Sequence, residues 1–249
     1  MEPGFIVTFD GICSIQLSKN NLIRVNGVPS LPNRLIDCVR VAINSGWVKG
    51  LCNESVEFGA HEFNLNGSPW YGKKSDGVAA RRLLAAILFQ LAREGWQILQ
   101  SLDPTRKQND KDTMFFEIAK PDPHAEIFVM SFNRFDRIRL INPPNSKVVD
   151  TFKATVSKEW PPGICGQRIY YGADELELFG NPWATRKKEE SIAAKQLVAH
   201  LIYAMKRIGY KLYAAVDITG RIQPGNSNSR KNGSLDVLAF RKVSQIWGN

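Results

Sequence analysis

Glu62-Phe63-Asn64-Leu65-Asn66-Gly67-Ser68-Pro69-Trp70 occurs a second time as Glu175-Leu176-Glu177-Leu178-Phe179-Gly180-Asn181-Pro182-Trp183. Both copies fit E-x-x-L-x-G-x-P-W. The same spacing carries Trp47 onto Trp160, Gly50 onto Gly163 and Cys52 onto Cys165. After the tryptophan the register lengthens by one, mapping Leu83 to Leu197, Gly95 to Gly209 and Asp103 to Asp217. Past Thr105 and Thr219 it lengthens by ten more, and Arg106-Lys107 falls on Arg230-Lys231, Asp112 on Asp236 and Phe116 on Phe240. The extra residues lie in Gly220–Ser229, whose Gly, Asn and Ser are loop chemistry that tolerates insertion. A register that drifts only at loops is the mark of a duplicated fold. Two units follow, 1–120 and 121–249, with Pro121-Asp122-Pro123 at the boundary, and packing of the two as one pseudo-symmetric domain stands as an alternative.

Within a unit, Ile12–Leu17 and Ile127–Phe132 alternate apolar positions as strands do, and Leu22–Val25 and Arg137–Ile141 follow as second strands. Leu35, Ile36, Val39 and Ile43 recur at helical spacing, as do Val148, Val149, Phe152 and Val156. They predict helices over Asn33–Trp47 and Ser146–Trp160, with Asn33 and Ser146 as N-caps. A strand over Glu62–Leu65 or Glu175–Phe179 and the Gly-x-Pro-Trp turn lead into a second helix, Val78–Glu94 or Ser191–Ile208. Gly95 and Gly209 sit where a C′ glycine ends a helix. Two strands close each unit: Trp96–Leu102 with Thr113–Ile118, and Tyr210–Ile218 with Ser234–Arg241. The expected fold is α+β (α/β-like): two tandem pseudo-symmetric repeats, each β-β-α-β-α-β-β with helices packed on a mixed sheet. The first strand pair could equally be one bent strand.

Hydrophobic residues make up 43% and charged residues 23% of the 249, the balance of an ordinary folded soluble protein. No apolar stretch approaches the roughly 20 residues of a membrane span. Met1-Glu2-Pro3-Gly4 has no basic start to a secretory leader. The four cysteines form no C-x-x-C pair and read as free thiols, so an intracellular location, cytoplasmic or nuclear, is expected. Cys52 and Cys165 read as small core thiols. The net charge of +9 suits an acidic partner, or plain solubility.

Chemistry-bearing patterns are sparse. His61, His124 and His200 have no metal-ligand spacing, glycine-rich phosphate loops are absent, and neither a metal nor a cofactor is expected. Asp103 and Asp217 end matched strands, where a carboxylate caps a turn. Trp47, Trp160 and the turn residues Gly67, Pro69, Trp70, Gly180, Pro182 and Trp183 read as a structural signature. Gly allows an unusual backbone angle and Trp plugs the space between strand and helix. Candidate anion- or partner-binding residues are the paired loops Arg106, Lys107, Arg230 and Lys231, and Arg186, Lys187 and Lys188 ahead of the second helix. Arg134, Arg137 and Arg139, with Phe132 and Phe135 interleaved, complete the set. The sequence is therefore read as a non-enzymatic intracellular interaction or scaffold module. It would bind another macromolecule, a protein first, through a basic surface. A nucleic-acid- or phosphoinositide-binding module, and an enzyme of unrecognised class, stand as alternatives.

Overall fold

The computed structural model describes residues 11–28, 33–105, 111–219 and 237–248. Each unit builds one six-stranded sheet and two helices. In the first, β1 (Ile12–Ser18) and β2 (Leu22–Val28) form a hairpin, followed by α1 (Asn33–Gly46). A second hairpin, β3 (Leu51–Glu57) and β4 (Ala60–Leu65), leads through a 3-10 turn at Pro69–Tyr71 into α2 (Ser75–Arg93), and β5 (Trp96–Leu102) and β6 (Thr113–Ile118) close the unit. The second unit repeats this as β7 (Ile127–Asn133), β8 (Arg137–Ile141), α3 (Ser146–Glu159), β9 (Ile164–Tyr170), β10 (Ala173–Leu178), α4 (Lys188–Arg207), β11 (Tyr210–Val216) and β12 (Val237–Lys242).

The α+β class and the duplication hold, with two corrections. Each unit is β-β-α-β-β-α-β-β: the expectation lacked β3 and β9, whose mostly polar, solvent-facing edge sequences carry no apolar alternation. The sheets, ordered β3-β4-β2-β1-β6-β5 and β11-β12-β7-β8-β10-β9, are antiparallel throughout rather than mixed. The helical crossovers explain this. β2–α1–β3 steps over β4, and β4–α2–β5 passes over three strands to the far edge, so no crossover joins hydrogen-bonded neighbours. The cap of α3 also differs: Asn145, not Ser146, accepts from the Val148 amide (3.1 Å), and Ser146 is the first helical residue.

The units stack unequally. Cys13, Ile15, Leu17 and Phe63 of the first sheet pack under α1 and α2. Val129, Ile141, Val237 and Ala239 of the second sheet join the same core from the other side, so α2 lies between the two sheets. The opposite face of the second sheet, with Phe128, Met130, Leu140 and Phe240, packs against α3 and α4. A sheet covered on both faces reads as a continuous apolar run. Accordingly β8 is buried at every position, whereas β1 alternates. Arg82 of α2 ties the units by donating to Tyr171 O (2.8 Å) and Asn142 Oδ1 (3.2 Å). Tyr213 Oη receives the Ile98 amide (3.3 Å), and the buried Arg241–Asp122 pair (2.8 Å) anchors the connecting segment.

Candidate functional site

The signature residues build equivalent joints in both units. The Trp47 and Trp160 indoles donate to Asn66 O (2.9 Å) and Phe179 O (3.0 Å). Those of Trp70 and Trp183 donate to Leu22 O and Arg137 O, both at 3.1 Å. Gly67 and Gly180 take φ of +79° and +86°, which fixes the turn geometry that a side chain would strain. Pro69 and Pro182 are buried beside them. Each joint therefore locks the strand before it to the helix after it.

The joints have diverged at their surfaces. In the second unit a groove of about 1000 Å³ lies beside the turn, with Phe135, Trp160, Pro161, Pro162, Ala184 and Ala193 among its lining. The charged residues Arg186, Lys187, Glu189 and Glu190 line it too. In the first unit Lys49 stands at the place of Pro162 and reaches Asp76 at 2.6 Å, with its ammonium 5.9 Å from the Trp47 ring centroid. Tyr71 stands at the place of Ala184. The second copy replaces a cation and an aromatic ring with Pro and Ala, leaving space where the first copy has side chains.

Arg186, Lys187 and Lys188 are exposed at the start of α4, and Arg134 is exposed in the β7–β8 turn next to Phe135. The helix end itself is already capped from within. Glu190 accepts from Thr185 Oγ1 (2.6 Å) and the Asn181 amide (2.7 Å). These two hydrogen bonds, the hydroxyl first, hold its carboxyl below the usual range. An external anion at that end would meet Glu189 and Glu190 as well as the exposed cations.

Arg137 and Arg139 are placed elsewhere. They lie buried on the face of the second sheet that meets α2, opposite Phe132, so the three arginines and two phenylalanines do not form one stacking face. Both reach Glu175, the first residue of the repeated signature, as does Arg168. Burial alone would raise the Glu175 carboxyl, but hydrogen bonds and charge from Arg139 and Arg168 outweigh it and hold the group low. Glu62 pairs in the corresponding way with Arg24 at 2.5 Å. These glutamates were absent from the sequence-derived set. Their signal was there: a carboxylate kept in both copies, with an arginine kept opposite it in Arg24 and Arg139.

Asp103 and Asp217 cap turns, accepting from the Thr105 (2.9 Å) and Thr219 (3.0 Å) amides. Cys52 and Cys165 overturn the core-thiol expectation: both are exposed, and each is the unpaired residue of a bulge in an edge ladder. All four cysteines are free. Arg106, Lys107, Arg230 and Lys231 lie outside the described residues. Among the described residues no helix is long and apolar enough to cross a membrane.

One protein-family model, for a domain of unknown function, matches the chain twice, over residues 11–117 and 126–241. The chain belongs to that family. It carries two copies of the family's domain, and each match spans nearly a complete β-β-α-β-β-α-β-β unit. No curated protein and no solved structure matches the chain.

Proposed function

We propose that this two-domain member of the family is a non-enzymatic interaction module that binds another protein through the groove of its second unit. The observation that carries this reading is the divergence of the two joints. Identical buried tryptophan hydrogen bonds keep the fold in both copies, while the surface above them is filled in one and open in the other. Aromatic and proline walls suit an apolar side chain of a partner, and anchors of this kind in pockets dominate interface energetics. The exposed cations Arg186, Lys187 and Arg134 favour acidic residues flanking that anchor and speed the encounter.

The test is photo-crosslinking in cells from a benzoylphenylalanine placed at Ala184. A single stoichiometric protein adduct is expected, lost on Arg186→Glu with Lys187→Glu and retained on Lys73→Glu with Lys74→Glu. No adduct, or one indifferent to that charge reversal, overturns the reading.

A further inference from the structure

A cavity of about 380 Å³ lies at the seam between the two units. Four pieces of chain bound it: the end of α1, the middle of α2, the segment connecting the units, and the corner between β8 and α3. Ser45, Asn142 and Pro144 are its exposed residues, and half-buried Ala86, Phe89 and Ile127 give it apolar walls. Ligand sites of this size favour the junction of domains.

Arg82 and Glu126 are its charged lining. Glu126 is already engaged: Lys242 Nζ reaches its Oε1 at 2.5 Å, and Tyr210 Oη donates to its Oε2 at 2.8 Å. Arg82 has two neutral acceptors instead. Its Nε donates to Asn142 Oδ1 (3.2 Å) and its Nη2 to Tyr171 O (2.8 Å). Arg24, Arg139 and Arg241 each hold a carboxylate, at 2.5, 2.5 and 2.8 Å, but among the described residues none stands within ion-pair distance of Arg82. A guanidinium presents five N–H donors in a fixed fork. The two bonds occupy its Nε side. The end of the fork, Nη1 with the second Nη2 proton, has no hydrogen bond among the described residues, and neither has Asn142 Nδ2. Donors are thus left over on the cavity wall. α4 has no counterpart, since exposed Gln196 stands where α2 carries Arg82. The site comes from stacking the two copies and not from the single domain.

We propose that this seam cavity binds a small monocarboxylate with an apolar body. Its carboxylate lies on Arg82 and Asn142, and its hydrocarbon lies against Phe89, Ala86 and Ile127. Two oxygens match the two parallel N–H groups at the end of the fork, and one negative charge balances the one cation that lacks an acid. Glu126 in the same wall disfavours a second negative charge, which selects against phosphates and dicarboxylates. A cavity of roughly 150 Å³ holds a benzene ring, so this one admits an aryl or short alkyl body together with its carboxylate. The bound molecule touches α2 of the first unit and the β8–α3 corner of the second, and so clamps the seam. The proposal is independent of the protein-binding groove.

The test is calorimetric titration of the full chain with phenylacetate and hexanoate, and with phenylacetamide as the neutral near-isostere. Melting temperatures of the variants are measured without ligand. Saturable binding of a carboxylate is expected, about tenfold or more tighter than the amide and weakened about tenfold or more by Arg82→Gln. It should raise the melting temperature of the parent chain, because a ligand of the folded state stabilises it. Ser45→Trp, at an exposed lining position, is expected to block binding and leave the ligand-free melting temperature unchanged. No saturable binding of either carboxylate, equal binding of the amide, or binding indifferent to Ser45→Trp overturns the proposal. Arg82 also ties the units, so Ser45→Trp keeps the test decisive if Arg82→Gln melts early.

Discussion

Gly95 and Gly209 end the matched helices α2 and α4 with φ of +87° and +93°, a backbone state that costs an L-residue about 1–2 kcal/mol. Their surroundings differ. A Cβ on Gly209 meets nothing within 4 Å, whereas one on Gly95 falls 2.6 Å from Ala119 O and 3.1 Å from Pro121. That carbonyl is not free to retreat, because the Ala119 amide donates to Gly95 O at 2.7 Å. Gly209→Ala is therefore expected to cost about 1–2 kcal/mol, the backbone strain alone. Gly95→Ala adds overpacking of about 1–3 kcal/mol. Urea unfolding of the two variants measures the difference, and equal losses would show that the clash at Gly95 relaxes freely. Pattern in the sequence identified both glycines as helix stops. It could not rank them, since what a Cβ would strike is set by residues distant in the chain.

Helices α2 and α4 occupy the same place in their units, yet α2 is enclosed between two sheets and α4 faces solvent on one side. Ala85 on α2 is 3% exposed, and its counterpart Ala199 on α4 is exposed. Ala85→Lys should cost about 3 kcal/mol or more, because the ammonium has no route to water. Ala199→Lys should stay within about 0.5 kcal/mol. Thermal unfolding of the two variants checks this, and a tolerated Ala85→Lys would mean that the seam opens. The helices themselves were legible because their apolar stripes are strong, and the strands facing a core were legible for the same reason. The edge strands β3 and β9 were not, because pairing with β4 and β10 holds them and burial does not. The groove was half legible: Trp160, Gly180, Phe135 and the basic triplet were marked, but Pro161 and Pro162 were not. The departure of Pro161-Pro162 from Val48-Lys49, in copies that otherwise agree, was the available signal. The cluster on Glu175 was half legible as well: Arg137 and Arg139 were marked, but their pairing with Glu175 joins strands distant in the chain, which spacing does not show.

The shared core is expected to make the two family domains one folding unit. Residues of the first sheet, of α2 and of the second sheet belong to a single core, Arg82 and Tyr213 make hydrogen bonds across the junction, and the Arg241–Asp122 pair holds the connecting segment to the second unit. Separating the units would bare apolar side chains on α2 together with Val129, Ile141, Val237 and Ala239 of the second sheet, at about 25 cal/mol per Å² of apolar surface exposed. It would also strip the cover from Arg81 and Glu175, which lie on opposite sides of the junction. A duplicated chain of independent beads would melt in two steps, one for each copy. A shared core instead couples the copies, so the intact protein is expected to unfold in one calorimetric transition with equal calorimetric and van't Hoff enthalpies. Ala85→Lys sharpens the test: it should lower that single transition as a whole, because the face it damages belongs to both units. Two resolved transitions in the parent chain, or a shift confined to one of two steps in the variant, would show that the units fold separately and that the seam between them is only a contact.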